Sequence, residues 1–305
     1  MHNNLAKKAG VFLDNKFGTL AMLPALIGLA FVLVYPVTVS IMWSFTNKSI
    51  MRQTTDIVWF ENFIYLLGNR ELWISMRNGL VYTTCTIILQ ILWGSGAALL
   101  LDRFLSPYVT KPFRLLYMIP WTFPVIVSVL VWGWLYNDSG LFSTVLFNQG
   151  IIPEPMSFLA SKHTALFSVV FVHAWSGAPL IMMSTLAGLQ SIPQDQYDVA
   201  LIEGTNSWQT LRYIIIPNIK RILQVIVVLR CVWIFNNFNM IFLLTGGGPG
   251  SATQNLPIMA YKYAWNSMEM GKSSAVSVIM LLFLILMFSV YQWVNSKTKG
   301  ENNAF

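Results

Sequence analysis

The sequence predicts an all-α integral membrane protein with about six transmembrane helices, and two observations lead to this prediction. Of the 305 residues, 55% are hydrophobic and only 10% are charged, whereas a soluble globular domain carries roughly 25% charged residues. A soluble protein of this length would need more charge to cover its surface. In addition, apolar stretches long enough to cross a bilayer, which takes about 20 residues, recur along the chain.

Six such stretches alternate with polar connectors, and their boundaries are defined to within a few residues. They lie at about 19–45, 78–101, 113–136, 164–189, 222–244 and 274–295. Because there is no tandem repeat and no low-complexity tract, we predict one membrane domain over residues 1–305. The first stretch follows several lysines but is longer than the apolar region of a cleavable signal, so it is predicted to be the first span.

Basic residues predict the orientation, because they concentrate in cytoplasmic segments. If both termini are cytoplasmic, the inner segments carry Lys7, Lys8, Lys16, Arg103, Lys111, Arg114, Arg212, Lys220, Arg221, Lys297 and Lys299. The outer loops then carry fewer: Lys48, Arg52, Arg70, Lys162, Lys262 and Lys272. The formal charge of +7 therefore fits loops that flank a membrane better than nucleic acid.

Proline and glycine mark spans that are expected to be interrupted. Pro120 and Pro124 lie in the third span, and Gly177 and Pro179 lie in the fourth. A proline inside a helix removes a backbone donor, which is tolerated where neighbouring protein or a cavity satisfies the freed carbonyl. Such kinks occur both along solute pathways and in purely structural helices.

The connector at about 190–217 is predicted to form a helix-turn-helix knob on the cytoplasmic face. Ser191 can cap and Pro193 can open a first short helix, and Gly204 allows a left-handed turn. Asp195 and Asp198 lie in the first turns of that helix, where acids favour the dipole. A second amphipathic helix is predicted to carry Trp208 and Leu211 up to Pro217, where the chain re-enters the membrane.

This knob resembles the cytoplasmic loop of the permease subunits of binding-protein-dependent ABC importers. The signature of that family is Glu-Ala-Ala, three residues, Gly, nine residues, then Ile-x-Leu-Pro. This chain has Asp198-Val199-Ala200, Gly204, Ile214 and Ile216-Pro217 at that spacing. It departs from the signature by Asp for Glu, Val for the first Ala and Ile for Leu.

Further motifs are similar to those of the carbohydrate branch, in particular subunits of the larger maltose type. They are Ile119-Pro120-Trp121, Trp132-Gly133-Trp134-Leu135-Tyr136-Asn137 with Gly140, Leu186-Ala187-Gly188-Leu189-Gln190-Ser191-Ile192-Pro193, Phe238-Asn239-Met240-Ile241 and Leu244-Thr245-Gly246-Gly247-Gly248-Pro249-Gly250. Together they extend over roughly residues 20–297. The glycine run is either a tight turn outside the membrane or a loop near a docked binding protein.

The resemblance implies the type I ABC importer permease fold and a multi-subunit machine in a bacterial inner membrane. Such a permease pairs with a second, similar permease and two ATPase subunits, which hold the ATP-Mg, and an extracytoplasmic binding protein delivers the sugar. The coupling residues implied for this chain are Tyr197, Asp198, Val199, Ala200, Glu203, Gly204 and Pro217. The chain has no Gly-x4-Gly-Lys-Ser/Thr phosphate loop, so it is expected to be non-enzymatic by itself and to bind no cofactor.

Polar and aromatic side chains inside spans, amides among them, are the candidates for contacting a sugar. They are Trp121, His173, Trp175, Ser176, Arg230, Trp233, Asn236 and Asn237. On a regular helix Arg230, Trp233 and Asn237 share one sector, which we expect to face the bundle. The three histidines, His2, His163 and His173, have no metal spacing, and Cys85 and Cys231 are expected to be packed residues.

Arg230 is the unusual residue of this set, because a charge near the middle of a span costs about 2.5–3.5 kcal/mol on insertion scales. No Asp or Glu lies in the six spans, so its partner is a backbone carbonyl, water, another subunit or an anionic solute. A structural role that ties off a broken helix is equally open. His173 is either an interior residue with a hydrogen bond or a ligand of the solute.

Three other functions remain open from the sequence. A secondary transporter would be expected to carry an intramembrane carboxylate or repeated discontinuous helices. An ABC permease for glycerol phosphate, an amino acid or a sulfonated sugar would share the knob, and Arg230 is compatible with an anionic solute. A purely structural membrane protein would leave the polar residues of the fourth and fifth spans unexplained.

Overall fold

A computed structural model describes residues 21–103 and 106–302, except for the side chains of residues 103, 107 and 294–302. The predicted basic flank at Lys7, Lys8 and Lys16, the start of the first span, and the side chains of Arg103, Lys297 and Lys299 lie outside this part. The helices are α1 Ala21–Ser44, α2 Glu61–Gly68, α3 Arg70–Arg103, α4 Pro107–Thr122, α5 Val125–Leu135, α6 Leu141–Asn148, α7 Ala165–Gln190, α8 Gln194–Ile202, α9 Ser207–Phe235, α10 Asn239–Thr245, α11 Leu256–Tyr261 and α12 Met270–Asn302.

The described helices confirm the prediction of an all-α membrane protein with about six spans. By length and composition, α1, α3, α7 and α12 can each cross a membrane, and the bent pairs α4/α5 and α9/α10 raise the total to 6 if each pair is one span. The predicted connectors are more helical than expected, since α2, α6 and α11 lie within them.

The third span is broken as predicted at Pro124. The α4 and α5 axes differ by 95°, and the two residues between them, Phe123 and Pro124, have extended backbone conformations. Pro120, however, lies inside α4 and does not interrupt it. The break follows Thr122, because a residue before proline avoids the helical region.

The predicted interruption of the fourth span is wrong. Helix α7 runs without a break through Gly177 and Pro179. Pro179 removes only one backbone donor, and the buried residues around it, Gly177 and Ala178 among them, hold the helix by packing. Neighbouring helices commonly allow a proline in a membrane helix in this way.

The fifth span differs from the prediction in the opposite sense, because it contains a break that no proline marks. Helix α9 ends at Phe235, α10 begins at Asn239, and their axes differ by 43°. Asn237 therefore does not continue the helical sector of Arg230. The Asn237 carbonyl accepts a hydrogen bond of 2.8 Å from the side-chain amide of Asn255, and the Asn237 side chain accepts one from the Met240 amide.

The chain divides into two compact units. The first comprises residues up to Leu66 together with Lys262–Leu281, and the second comprises Leu67–Tyr261 together with the chain from Leu282. Whether the whole chain is one membrane domain stays a prediction.

In the first unit, polar contacts hold the segment that follows α1. The buried amide of Asn62 donates to the carbonyls of Ser44 at 2.9 Å and Thr46 at 2.8 Å. Lys272 forms an ion pair with Glu269 at 2.8 Å. Helix α1 itself is apolar and exposed over most of its length, as expected for a helix whose solvent is lipid.

The second unit is organised by the packing of α3 against α7. Their contact is close because Gly94 of α3 faces the α7 backbone: an ideal Cβ at residue 94 would lie 2.6 Å from the Ala178 carbonyl oxygen and 2.7 Å from Ile181 Cβ. Small residues allow membrane helices to approach in this way. Two buried clusters flank this contact, one around Tyr82 and Trp132 and the other around Met182, Leu186 and Ile219.

We predict that Gly94→Ala separates α3 from α7 and lowers the thermal unfolding temperature of the purified protein in detergent. The added methyl group overlaps backbone, and overpacking of this kind costs about 1–3 kcal/mol. Gly96→Ala, two residues along the same helix, is the control, because nothing lies within 4 Å of an ideal Cβ there. Equal unfolding temperatures for the two variants would contradict this account of the contact.

Candidate functional site: a helical knob and a buried polar cluster

The knob, residues 190–217, consists of α8, a turn and the beginning of α9. Gly204 has φ +70°, so the predicted left-handed turn is confirmed, and a side chain there is strained by its backbone conformation. The second arm begins with a capping box, in which the Asn206 side chain accepts from the Gln209 amide and the Gln209 side chain accepts from the Asn206 amide. These paired bonds fix the start of the second arm.

Two details of the predicted knob are wrong. Ser191 does not cap α8, because its hydroxyl donates back to the Gly188 carbonyl at the end of α7. The second arm does not end at Pro217, because α9 is one helix over Ser207–Phe235. A π-helical turn at Leu211–Ile215 precedes the proline, and this wider turn lies where the missing proline donor would disturb a regular α-helix. The knob is therefore continuous with the fifth span.

The predicted coupling residues of the knob divide by burial. Asp198, Val199, Glu203, Gly204 and Pro217 are exposed. Ala200 is buried, and Tyr197 is half-buried and packs against the cluster around Met182. The first group forms surface, whereas Ala200 and Tyr197 hold the knob together.

Large apolar side chains of the knob are also exposed. Leu201 and Ile202 expose 83% and 84% of their surface, and Trp208 and Tyr213 expose 68% and 74%. Four large apolar side chains exposed on one polar connector indicate an interaction surface.

A buried polar cluster lies within the second unit, and we define it as Tyr82, Gln90, His173 and Arg230. The Tyr82 hydroxyl and His173 Nδ1 share a hydrogen bond of 2.5 Å. Gln90 links the other members: its Nε2 donates to the His173 carbonyl at 3.0 Å, and its Oε1 accepts from Arg230 Nε at 3.0 Å. The cluster thus joins α3, α7 and α9.

Arg230 is 5% exposed, and its Nη2 has no hydrogen-bond partner among the described atoms. Its Cζ lies 5.8 Å from the centroid of the Trp121 ring, within the range of a cation–π contact. Gly177 provides the space for this arrangement, because a Cβ there would overlap Gln90 Nε2 and Arg230 Nη2. The glycine in the fourth span therefore serves close packing rather than a helix break.

The structure brings together only part of the predicted solute site. Trp121, His173 and Arg230 belong to or adjoin the polar cluster, and Ser176 donates its hydroxyl to the His173 carbonyl at 3.1 Å. Trp175 lies instead against Trp132, with ring centroids 5.4 Å apart.

Three predicted site residues of the fifth span lie elsewhere. Trp233 is 58% exposed, so the expectation that it faces the bundle together with Arg230 is wrong. The two side chains point in directions about 60° apart around the helix, so the side chain of Arg230 is buried while that of Trp233 is exposed. Asn236 is exposed at the end of α9, and Asn237 caps α10.

Tyr82, Gln90 and Asn255 were not predicted, although Gln90 carried a usable signal. It is a lone glutamine in the middle of an apolar span, and an intramembrane polar side chain requires a partner. Tyr82 and Asn255 carry no comparable signal, because a tyrosine near the end of a span and an asparagine in a connector are common.

An apolar cavity of about 880 Å³ lies between α3, α4 and α7. Aromatic side chains line much of it, among them Trp93, Phe113, Phe171 and Trp175. It offers few groups that can bind hydroxyls, so it is a poor site for a sugar. Among the described residues, no cluster of His, Cys, Asp or Glu is placed to hold a metal ion.

Comparisons with known proteins identify the family to which this chain is similar. Residues 90–300 match the family model described as "Binding-protein-dependent transport system inner membrane component". The trehalose/maltose transport system permease protein MalF of Thermococcus litoralis is 32% identical over 95% of this chain and 96% of its own length. The sulfoquinovosyl glycerol transport system permease protein SmoG of Agrobacterium fabrum is 26% identical over 91% of this chain and 90% of its own length.

Among solved structures, a chain of a bacterial ABC transporter involved in the import of the acidic polysaccharide alginate superposes with a TM-score of 0.79. It is 18% identical, and the match covers 94% of this chain and 99% of that chain. At this identity the likeness shows the fold, which is the one that the sequence predicted.

We predict that Tyr82→Phe lowers the thermal unfolding temperature, because it leaves His173 Nδ1 buried without its partner. The expected cost is about 1–3 kcal/mol. Tyr108→Phe is the control, since Tyr108 is 91% exposed. If the two variants unfold at the same temperature while Tyr82→Phe alters transport, His173 acts as a ligand rather than as a structural residue.

Proposed function

Because this chain belongs to the family of binding-protein-dependent transport system inner membrane components, we propose that it is the membrane-spanning permease subunit of an ATP-driven sugar importer. The observation that carries this proposal is the exposed knob, which is built directly onto two spans. The sugar class is supported by the similarity to the trehalose/maltose permease and, more distantly, to the sulfoquinovosyl glycerol permease.

We propose the same subunit arrangement that the resemblance implied. A second, similar permease completes the pathway, two ATPase subunits hold ATP-Mg, and an extracytoplasmic binding protein delivers the solute. The knob and both termini then lie in the cytoplasm of a cell whose inner membrane holds the complex. In support, this chain also superposes, with a TM-score of 0.76, on a chain of a bacterial alginate ABC transporter in complex with an "alginate pentasaccharide-bound periplasmic protein".

The knob is the proposed contact with the ATPase. Its exposed apolar side chains need a covering surface, and an ATPase cleft would supply one. Asp198 and Glu203 border this surface and can pair with basic groups of the partner. Movement of the cleft would act on both spans at once, because α7 leads into α8 through three residues and α9 includes the second arm.

The proposed solute pathway passes along the two helix breaks. Irregular backbone within a membrane is tolerated where it is buried in protein or lines a cavity, and binding sites of transporters often use discontinuous helices. Trp121 lies just before the α4/α5 break, and Asn236 lies at the α9/α10 break. These residues offer the ring faces and amide groups that a sugar requires.

An acidic sugar is a second candidate solute. It is favoured by the similarity to the sulfoquinovosyl glycerol transport system permease protein. A panel that includes neutral and acidic sugars distinguishes the two: maltose and trehalose on one side, and sulfoquinovosyl glycerol and galacturonate disaccharides on the other. The complex reconstituted in proteoliposomes is expected to take up a member of the panel only with ATP and loaded binding protein. Uptake driven by an ion gradient without ATP would overturn the proposal.

We predict that Gly204→Val reduces the amount of ATPase that copurifies with this chain by about tenfold. A β-branched residue at φ +70° distorts the turn between the two arms. Gly204→Asn is the matched control, because asparagine tolerates left-handed backbone better than other side chains. Both variants should insert normally into the membrane. If equal amounts of ATPase copurify with the two variants, the left-handed turn at Gly204 is not required for ATPase binding.

We predict that Trp121→Ala and Asn236→Ala reduce sugar transport by about fivefold to thirtyfold, because each removes a contact worth about 1–2 kcal/mol. ATPase copurification should stay unchanged. Trp134→Ala is the control, since Trp134 is a tryptophan of α5 that is more exposed than Trp121, at 66% against 39%. Unchanged uptake at low sugar concentration would remove the altered residue from the pathway.

A further inference from the structure

We propose that Arg230 is a positioning residue of the solute pathway, which holds the indole of Trp121 in place beside the α4/α5 break. Its guanidinium is fixed by Gln90 in a slot that only a glycine at residue 177 leaves open. This inference rests on the proposed function, because it assigns to Trp121 a contact with the transported sugar.

Hydrogen bonds within the buried polar cluster hold Arg230 firmly. Its Nε donates to Gln90 Oε1, and Gln90 is itself fixed by its bond to the His173 carbonyl. Both side chains are almost fully buried. The planar guanidinium is therefore oriented by a chain of bonds that starts at the backbone of α7, and it has little freedom to rotate.

The Arg230 charge is buried among neutral groups. A buried cation requires compensation, and the sequence places no Asp or Glu in any of the six spans. Arg230 Nη2 has no hydrogen-bond partner among the described atoms. The face of an aromatic ring attracts a cation most strongly where water is excluded, and the Trp121 ring lies 5.8 Å from Arg230 Cζ. The indole is thus the group that compensates the buried charge.

Trp121 lies where the surrounding backbone and side chains do not fix its indole by themselves. It lies in the last turn of α4, and the chain leaves the helix two residues later at Phe123. Trp121 is 39% exposed, so neighbours do not enclose it. Without the cation, the indole of a residue beside a 95° bend would populate more than one rotamer. Attraction to Arg230 selects one of them and leaves the exposed part of the ring for the sugar.

The slot at Gly177 allows a test that leaves the charge in place. Gly177→Ala would displace Gln90 Nε2 and Arg230 Nη2, so it moves the guanidinium without removing it. Gly133→Ala is the matched control, because nothing lies within 4 Å of an ideal Cβ at residue 133. Arg230→Met removes the charge and keeps most of the side-chain volume. Arg230→Lys keeps the charge but loses the planar set of N–H donors of the guanidinium.

The experiment uses the complete complex in proteoliposomes, with the sugar that the panel identifies. It measures the sugar transported per ATP hydrolysed and the concentration of loaded binding protein that gives half-maximal ATPase activity. Arg230→Met and Gly177→Ala should each lower the transport ratio about threefold to tenfold, and half-maximal activation should not change. Arg230→Met in a Trp121→Ala background should cause no further loss, because the two residues act as a unit. Gly133→Ala should match the wild type.

Other outcomes would overturn either the role of Arg230 or the proposed function. Transport and ATP hydrolysis that fall in proportion, or losses that add in the double variant, would overturn the inference and make Arg230 structural. If Arg230→Met does not assemble, Gly177→Ala and Arg230→Lys still decide, because an unchanged transport ratio in both overturns it. A Trp121→Ala loss without any Arg230 effect rejects the inference and leaves the proposed function intact. Absence of ATP-dependent sugar uptake by the wild type rejects the proposed function itself.

Discussion

The fold of the second unit depends on one constraint, namely that α3 and α7 must approach closely within a solvent that cannot hydrogen-bond. Gly94 of α3 and Gly177 of α7 both permit this approach, because neither carries a side chain that would overlap the other helix or the residues between them. Since lipid contributes little hydrophobic force between helices, packing and polar contacts supply the association. The polar cluster can exist only because this contact encloses it: Gln90 reaches the His173 carbonyl across the interface, and Arg230 from α9 then finds an acceptor.

The same helices connect this interior to the knob. Helix α9 is continuous from Ser207 in the knob to Phe235 beside the α9/α10 break, and Arg230 lies between these ends. The α7 helix ends at Gln190, immediately before the other arm of the knob. A force on the knob therefore acts on two of the three helices that the polar cluster joins. An element held at both ends in this way can transmit a rigid-body movement.

The sequence was sufficient for the span positions, the left-handed turn at Gly204 and the break at Pro124, because each follows from local chemistry. It was insufficient for features that depend on neighbours. Pro179 and Pro217 suggested boundaries, but packing around α7 and a π-helical turn in α9 absorb them. The break after Phe235 carries no proline. It depends on Asn255, a distant residue whose amide satisfies the Asn237 carbonyl. The association of Arg230 with Gln90 and Trp121 likewise requires three helices in place.

The partners of Arg230 suit a protein that must change conformation in a membrane. A buried ion pair is expensive to open, because breaking it leaves two uncompensated charges in a low dielectric. Here the cation is held by an amide oxygen and an aromatic ring, and both groups are neutral. Separation of α3 from α9 would leave one charge to be stabilised rather than two, and water or a hydroxyl of the solute can stabilise it. Neutral partners therefore fix the resting position of the Arg230 cation, and ATP-driven movement can separate them without opening an ion pair.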